Sequence, residues 1–102
     1  MKFTISSTTS NLTYLARSWG YKEIFDSKSQ RRGYIKLLGS HAFPRFHLFL
    51  NPQVGGQLEV DLHLDQLRPL HKKIARASES TGEVVEREAD RIRLGGQPIK
   101  LI

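Results

Sequence analysis

Two neighbouring segments, "RFHLFLN" (45–51) and "LEVDLHLD" (58–65), constrain the fold of this chain more than any other feature. In the second, Leu58, Val60, Leu62 and Leu64 alternate with Glu59, Asp61, His63 and Asp65; in the first, Phe46, Leu48 and Leu50 alternate with His47 and Phe49. A period of two marks a strand with one buried face and one wet face. The intervening "NPQVGGQ" has Pro52 to pre-set a turn and Gly55-Gly56 to permit positive φ, so the pair reads as a hairpin. Setting Leu50 opposite Leu58 places His47 against Asp61 and Arg45 against His63.

The flanking sequence supplies helices to cover the apolar face. In "TTSNLTYLARSWGY", Leu12, Leu15, Ala16 and Trp19 form one helical stripe; Ser10 or Asn11 is placed to cap it and Gly20 to end it. In "STGEVVEREADRIRLGG", Val84, Val85, Glu88, Ala89 and Ile92 share one side, of which only Glu88 is polar. Ser80 and Glu83 match a capping box, acids precede arginines as the helix dipole favours, and Gly95-Gly96 ends the helix. Between the first helix and the hairpin, Ile24-Phe25 ends a short strand. "GYIKLLG" makes a clearer one, with Ile35 and Leu37 inward and Tyr34 and Lys36 outward. "KFTIS" is a candidate N-terminal strand. Pro69 breaks any helix continuing from the hairpin, so residues 66–80 read as a basic connection with one helical turn around Lys72–Arg76. The expected fold is α+β in α-β-β-β-α order: a three- to four-stranded antiparallel sheet with both helices on one face. Residues 1–102 form a single domain with an apolar tail, "PIKLI", within 97–102.

The wet face then carries Tyr34, Lys36, Arg45, His47, Phe49, Asp61, His63 and Asp65, and three chemistries fit it. His47 and His63, with Asp61 to orient a ring, could exchange protons near neutral pH. His47, Asp61, His63 and Asp65 together offer imidazole and carboxylate donors to a divalent metal, although no cofactor is required. The plainest reading is cross-strand charge pairing, each pair contributing about a few tenths of a kcal/mol.

The charge balance points to a polyanionic partner. Sixteen Lys and Arg stand against ten Asp and Glu, a formal +6. The cations cluster: Lys28, Arg31, Arg32 and Lys36 in one group, Arg68, Lys72, Lys73 and Arg76 with His71 in another. Such groups bind phosphates, and Tyr34 and Phe49 could stack unpaired bases, which favours RNA over DNA. Absence of cysteine excludes disulfides and thiolate metal sites. No apolar run approaches a membrane span and "MKFTISSTTSN" has no apolar signal core, so the expected location is the cytoplasm.

Two resemblances bear on function. The helix–three strands–helix order, with "WGY" at 19–21 and "GSH" at 39–41, resembles double-stranded RNA-binding domains and the HicA-type mRNA-interferase toxins. That likeness implies a catalytic role in RNA cleavage for His41. "PRFHLFL", "LHLDQLRP" and "GEVVEREADRI" are similar to small, functionally unassigned proteins of uncultivated bacteria, which directs attention to Arg45, His47, His63 and Asp65. The sequence therefore reads as a small basic RNA-binding domain. The alternatives are a small ribonuclease or metal-dependent hydrolase on the sheet face, and a protein-interaction module that dimerises through its tail or an uncovered strand edge.

Overall fold

The hairpin demanded by the alternation lies in the middle of the sheet. The computed structural model describes residues 1–7, 9–70 and 73–96, with the backbone alone for 68–70 and 73–77. Strand β4 spans Arg45–Pro52 and β5 spans Gln57–Leu70, joined by a tight turn at Val54–Gly56 in which Gly55 and Gly56 have φ of 73° and 74°. The Gln53 amide donates to the Gln57 carbonyl at 2.8 Å, so Pro52 stays in the strand and pairs with Leu58. The register is therefore two residues from the expected one: Leu50 faces Val60, Phe49 faces Asp61, His47 faces His63 and Arg45 faces Asp65. An even shift leaves every side chain on its expected face.

Around this hairpin the sheet is larger than the sequence suggests. Its order is β1-β5-β4-β3-β2, with β6 also on β5, six strands among the described residues and antiparallel at each pairing. Strand β2 is Lys22–Asp26 and β3 is Arg31–Leu37; β1 (Lys2–Ser6) pairs with β5 over 57–61 and β6 (Lys73–Glu79) over 64–70. The fold is α+β, with helices α1 (Leu12–Ser18) and α2 (Glu83–Arg93). The expected basic connection is thus mostly strand, and its residues 73–76 form no helical turn. After Leu64 the core-facing row of β5 continues with Gln66, a polar residue that is only half-buried, so the apolar alternation stops there. Pro69 sits where β5 pairs only with β6 among the described residues, a margin that tolerates its missing N–H.

Strand β3 has the opposite phase from the expected one. Tyr34 pairs with Leu48 and lies in the helix-covered core at 3% exposure, while Ile35 pairs with His47 on the other face. Two contacts decide this. The Tyr34 hydroxyl reaches Thr13 Oγ1 of α1 at 3.1 Å, which satisfies its one polar atom. On the other face Gly33 leaves room for neighbours: a Cβ there would lie 2.7 Å from His47 Nε2. Lys36 accordingly lies on the helix side, against Gly20.

Both helices contribute to one core. Asn11 caps α1 by accepting from the Tyr14 amide at 3.0 Å, and Gly20 (φ 92°) turns the chain out of it. The cap of α2 is Gly82 (φ 107°) and no capping box forms, because the helix begins at Glu83 itself and leaves Ser80 too far back. Ala16, Trp19, Val85, Ala89 and Ile92 cluster with Phe3, Phe46, Leu48, Leu50, Leu58, Val60, Leu62 and Leu64; Val84 is exposed. Neither helix is long and apolar enough to cross a membrane.

The polar residue in the α2 stripe has a structural role. Tyr21 donates to Glu88 Oε2 at 2.5 Å, Arg91 donates to both Glu88 oxygens at 2.7 and 2.9 Å, and Arg91 also binds the Trp19 and Gly96 carbonyls. Burial, followed by the Glu88 charge, pushes the Tyr21 hydroxyl above its ordinary range. Leu62→Ala, in a fully buried residue, is expected to destabilise by about 2–5 kcal/mol in chemical denaturation. Glu88→Ala, which strands the buried Tyr21 hydroxyl and Arg91, is expected to cost about 3–5 kcal/mol by the same measurement.

Candidate functional site

The face of β3–β4–β5 away from the helices carries Arg45, His47, Phe49, Asp61, His63 and Asp65, but as pairs and stacks. His47 Nδ1 lies 3.3 Å from Asp65 Oδ2, and Arg45 Nε lies 3.6 Å from the same oxygen. His63 Nε2 lies 3.0 Å from Asp61 Oδ1, two residues back on the same strand. The His47 ring tilts against Phe49 with centroids 4.7 Å apart. The Arg31 guanidinium covers Phe49 at 4.4 Å and donates to Asn51, which in turn donates to Glu59 at 3.1 Å. At the other end Arg45 covers the Phe43 ring at 4.5 Å. A chain of contacts thus runs across the face from Glu59 to Phe43.

This packing dries the face that the alternation marks as wet. His47 is 6% exposed, Phe49 9%, and Asp65 is buried. Placing the His47 proton on Nδ1 directs it at Asp65 and leaves Nε2 as a lone pair over Gly33, without a hydrogen-bond partner among the described residues. His63 is more accessible, its side chain 27% exposed. Burial pulls its pKa below the ordinary histidine value, and the Asp61 carboxylate only partly restores it.

The arrangement limits the chemistry. A metal-free cleavage of RNA needs an accessible base and an accessible acid. His63 with Asp61 could serve as one, but His47 is closed off as the second. The proposed metal donors His47, Asp61, His63 and Asp65 separate into two His–Asp pairs, and among the described residues no three such donors gather at one ion position. His41 lies exposed between β3 and β4 rather than on a strand.

Of the proposed nucleic-acid ligands, Tyr34 and Lys36 face the helices, and Phe49 lies under Arg31, so neither ring can stack on a base as it stands. Arg45 is taken up by Asp65 and Phe43. Lys28, Arg31 and Arg32 remain exposed on the β2–β3 hairpin, where Ser29 Oγ donates to Asp26 Oδ2 at 2.7 Å and holds that carboxyl below its usual range. Arg32 pairs with Glu23 at 3.1 Å. The side chains of Arg68, Lys73 and Arg76, and all of His71 and Lys72, lie outside the described residues. Two exposed aromatics escape the sequence reading: Phe25 (62%), opposite Arg32, and Tyr14 (68%) on α1. The period-two pattern around Phe25 is too short to reveal its side. Comparison with protein-family models, curated proteins and solved structures finds no match.

A lowered histidine pKa has a definite linkage sign. The unfolded chain takes up the proton at higher pH than the folded one, so the contribution of His63 to stability is complete above the ordinary histidine pKa. It diminishes as pH falls from there through the folded value. NMR titration should show His63 titrating below a free histidine, and Asp61→Asn should lower it further by removing the favourable charge.

Proposed function

We propose that the protein is a small basic nucleic-acid-binding domain that prefers single-stranded RNA and binds it through the β2–β3 hairpin. The observation that carries this reading is the hairpin itself: Lys28 and Arg32 stand exposed on it, and Arg32 lies opposite an aromatic ring, Phe25, that is mostly open to solvent. The cations supply phosphate contacts, and the ring supplies a stacking surface that any base can use. Arg32, opposite Phe25 in the hairpin, places a cation next to the stacking base. The second basic group, Arg68, Lys72, Lys73 and Arg76, adds four more cations to the sequence. Hydrolysis by His63 and Asp61 is the weaker reading, since their neighbour His47 is enclosed. No cofactor is part of this proposal.

Fluorescence anisotropy with a labelled single-stranded RNA should detect binding at low salt that weakens steeply as salt rises. Lys28→Ala with Arg32→Ala should make the salt slope shallower by about one for each phosphate that the two side chains neutralise. Phe25→Ala should cost about 1–3 kcal/mol with little change in slope. Undetectable binding at low ionic strength refutes the proposal. Binding that the hairpin variants leave unchanged, but that Lys72→Ala, Lys73→Ala and Arg76→Ala together abolish, moves the surface to the second basic group.

A further inference from the structure

We infer that the outer edge of β2 is a homodimer interface, at which two copies join their sheets antiparallel about a two-fold axis at Ile24. Strand β2 ends the sheet: it pairs with β3 on one side and with no strand on the other among the described residues. An open edge presents a row of backbone donors and acceptors that invites a further strand unless it is blocked.

The sequence of this edge, "KEIFD", is complementary to itself when reversed. With Ile24 on the axis, Lys22 stands opposite Asp26 of the partner subunit, and the same pair recurs on the other side of the axis. Ile24 meets its own copy, and Glu23 meets Phe25 of the partner subunit. Moving the axis by one residue to Glu23 sets that carboxylate against itself, and moving it to Phe25 sets Ile24 against Asp26 of the partner subunit. Like charges directly opposite destabilise a pair of strands, whereas opposite charges and apolar pairs support it. Strand β1, at the far margin of the sheet, carries only one charge in "KFTIS", so no symmetric pairing there forms an ion pair.

The three-dimensional setting agrees with this register. Within its own hairpin Ile24 faces Gly33, which has no side chain to offer it, so a second Ile24 across the axis supplies the missing apolar neighbour. Lys22 is exposed, and Ile24 and Asp26 are half-buried. These three side chains share one face of the strand, while Phe25 points to the other. Pairing through them leaves the Phe25 and Arg32 surfaces of both copies on a common side of a continuous sheet.

Light scattering and sedimentation velocity on the intact chain, without RNA, test the interface separately from the binding proposal. The wild-type protein should dimerise as concentration rises. Lys22→Asp and Asp26→Lys, each of which sets like charges opposite one another twice, should both be monomeric. The double variant should dimerise again, and an equimolar mixture of the two single variants should form a heterodimer. Circular dichroism checks that each variant is folded. Should a charge variant fail to fold, cysteine cross-linking takes its place, because the wild-type chain has no cysteine. Ile24→Cys should oxidise to a covalent dimer much faster than Phe25→Cys. A protein that stays monomeric with equal cross-linking rates, or a dimer indifferent to both charge variants, overturns the inference.

Discussion

Strand β5 is the element on which the rest of this structure depends. It is 14 residues long, takes β4 along one side and both β1 and β6 along the other, and carries four of the core residues in one alternating row. Leu58, Val60, Leu62 and Leu64 can all be dry only if one face of the sheet is covered, and among the described residues the two helices cover it. The apolar face of each helix is short, with Ala16 and Trp19 from α1 and its end, and Val85, Ala89 and Ile92 from α2. Neither helix would hold alone at such lengths without tertiary packing. The row on β5 thus sets where both helices lie.

Two polar networks then fix what packing alone leaves loose. On the helix side, Glu88 ties α2 to the segment that leaves α1 through Tyr21 and Arg91. Gly96 makes that approach close: a Cβ at this position would lie 2.2 Å from Trp19 Cδ1. On the other side, Arg31, Phe49, His47, Asp65 and Arg45 lock β3, β4 and β5 edge to edge. Exposed ion pairs such as Arg87–Glu83 and Arg93–Asp90 add little beside these, because water screens them.

What could be read in advance follows the strength of the local pattern. The hairpin, the two helices, the Asn11 cap and the Gly20 exit rest on periodicity or on a single turn, and all are legible. The phase of β3 is not, because "GYIKLL" offers an apolar residue to either side and the choice falls to Gly33 and to the Thr13 hydroxyl, both known only in three dimensions. Strand β6 leaves no mark because "KIARASE" has no strict period-two alternation of apolar and polar residues. The composition of the His–Asp face is legible from the alternation, since an even register shift preserves faces. Its dryness is not, because that depends on Arg31 reaching across from β3 to cover Phe49 and on Arg45 covering Phe43 while it pairs with Asp65.

The distribution of charge separates the two functional readings. Residues 45–65, where the titratable groups concentrate, hold one arginine against three carboxylates, whereas residues 1–44 hold seven cations against two acids and residues 66–78 hold four cations and no acid. The β4–β5 hairpin therefore carries a net negative charge and the segments on either side of it a net positive one. On the open face each carboxylate already has a cation, imidazole or amide beside it, so local pairing satisfies that surface without a ligand. The surplus positive charge of the sequence lies instead in residues 1–44, Lys28 and Arg32 of the β2–β3 hairpin among them, and in the basic sequence after Asp65. Density of reactive residue types marks the first region and excess of positive charge marks the second. The proposed partner, a chain of phosphates, is drawn to the second.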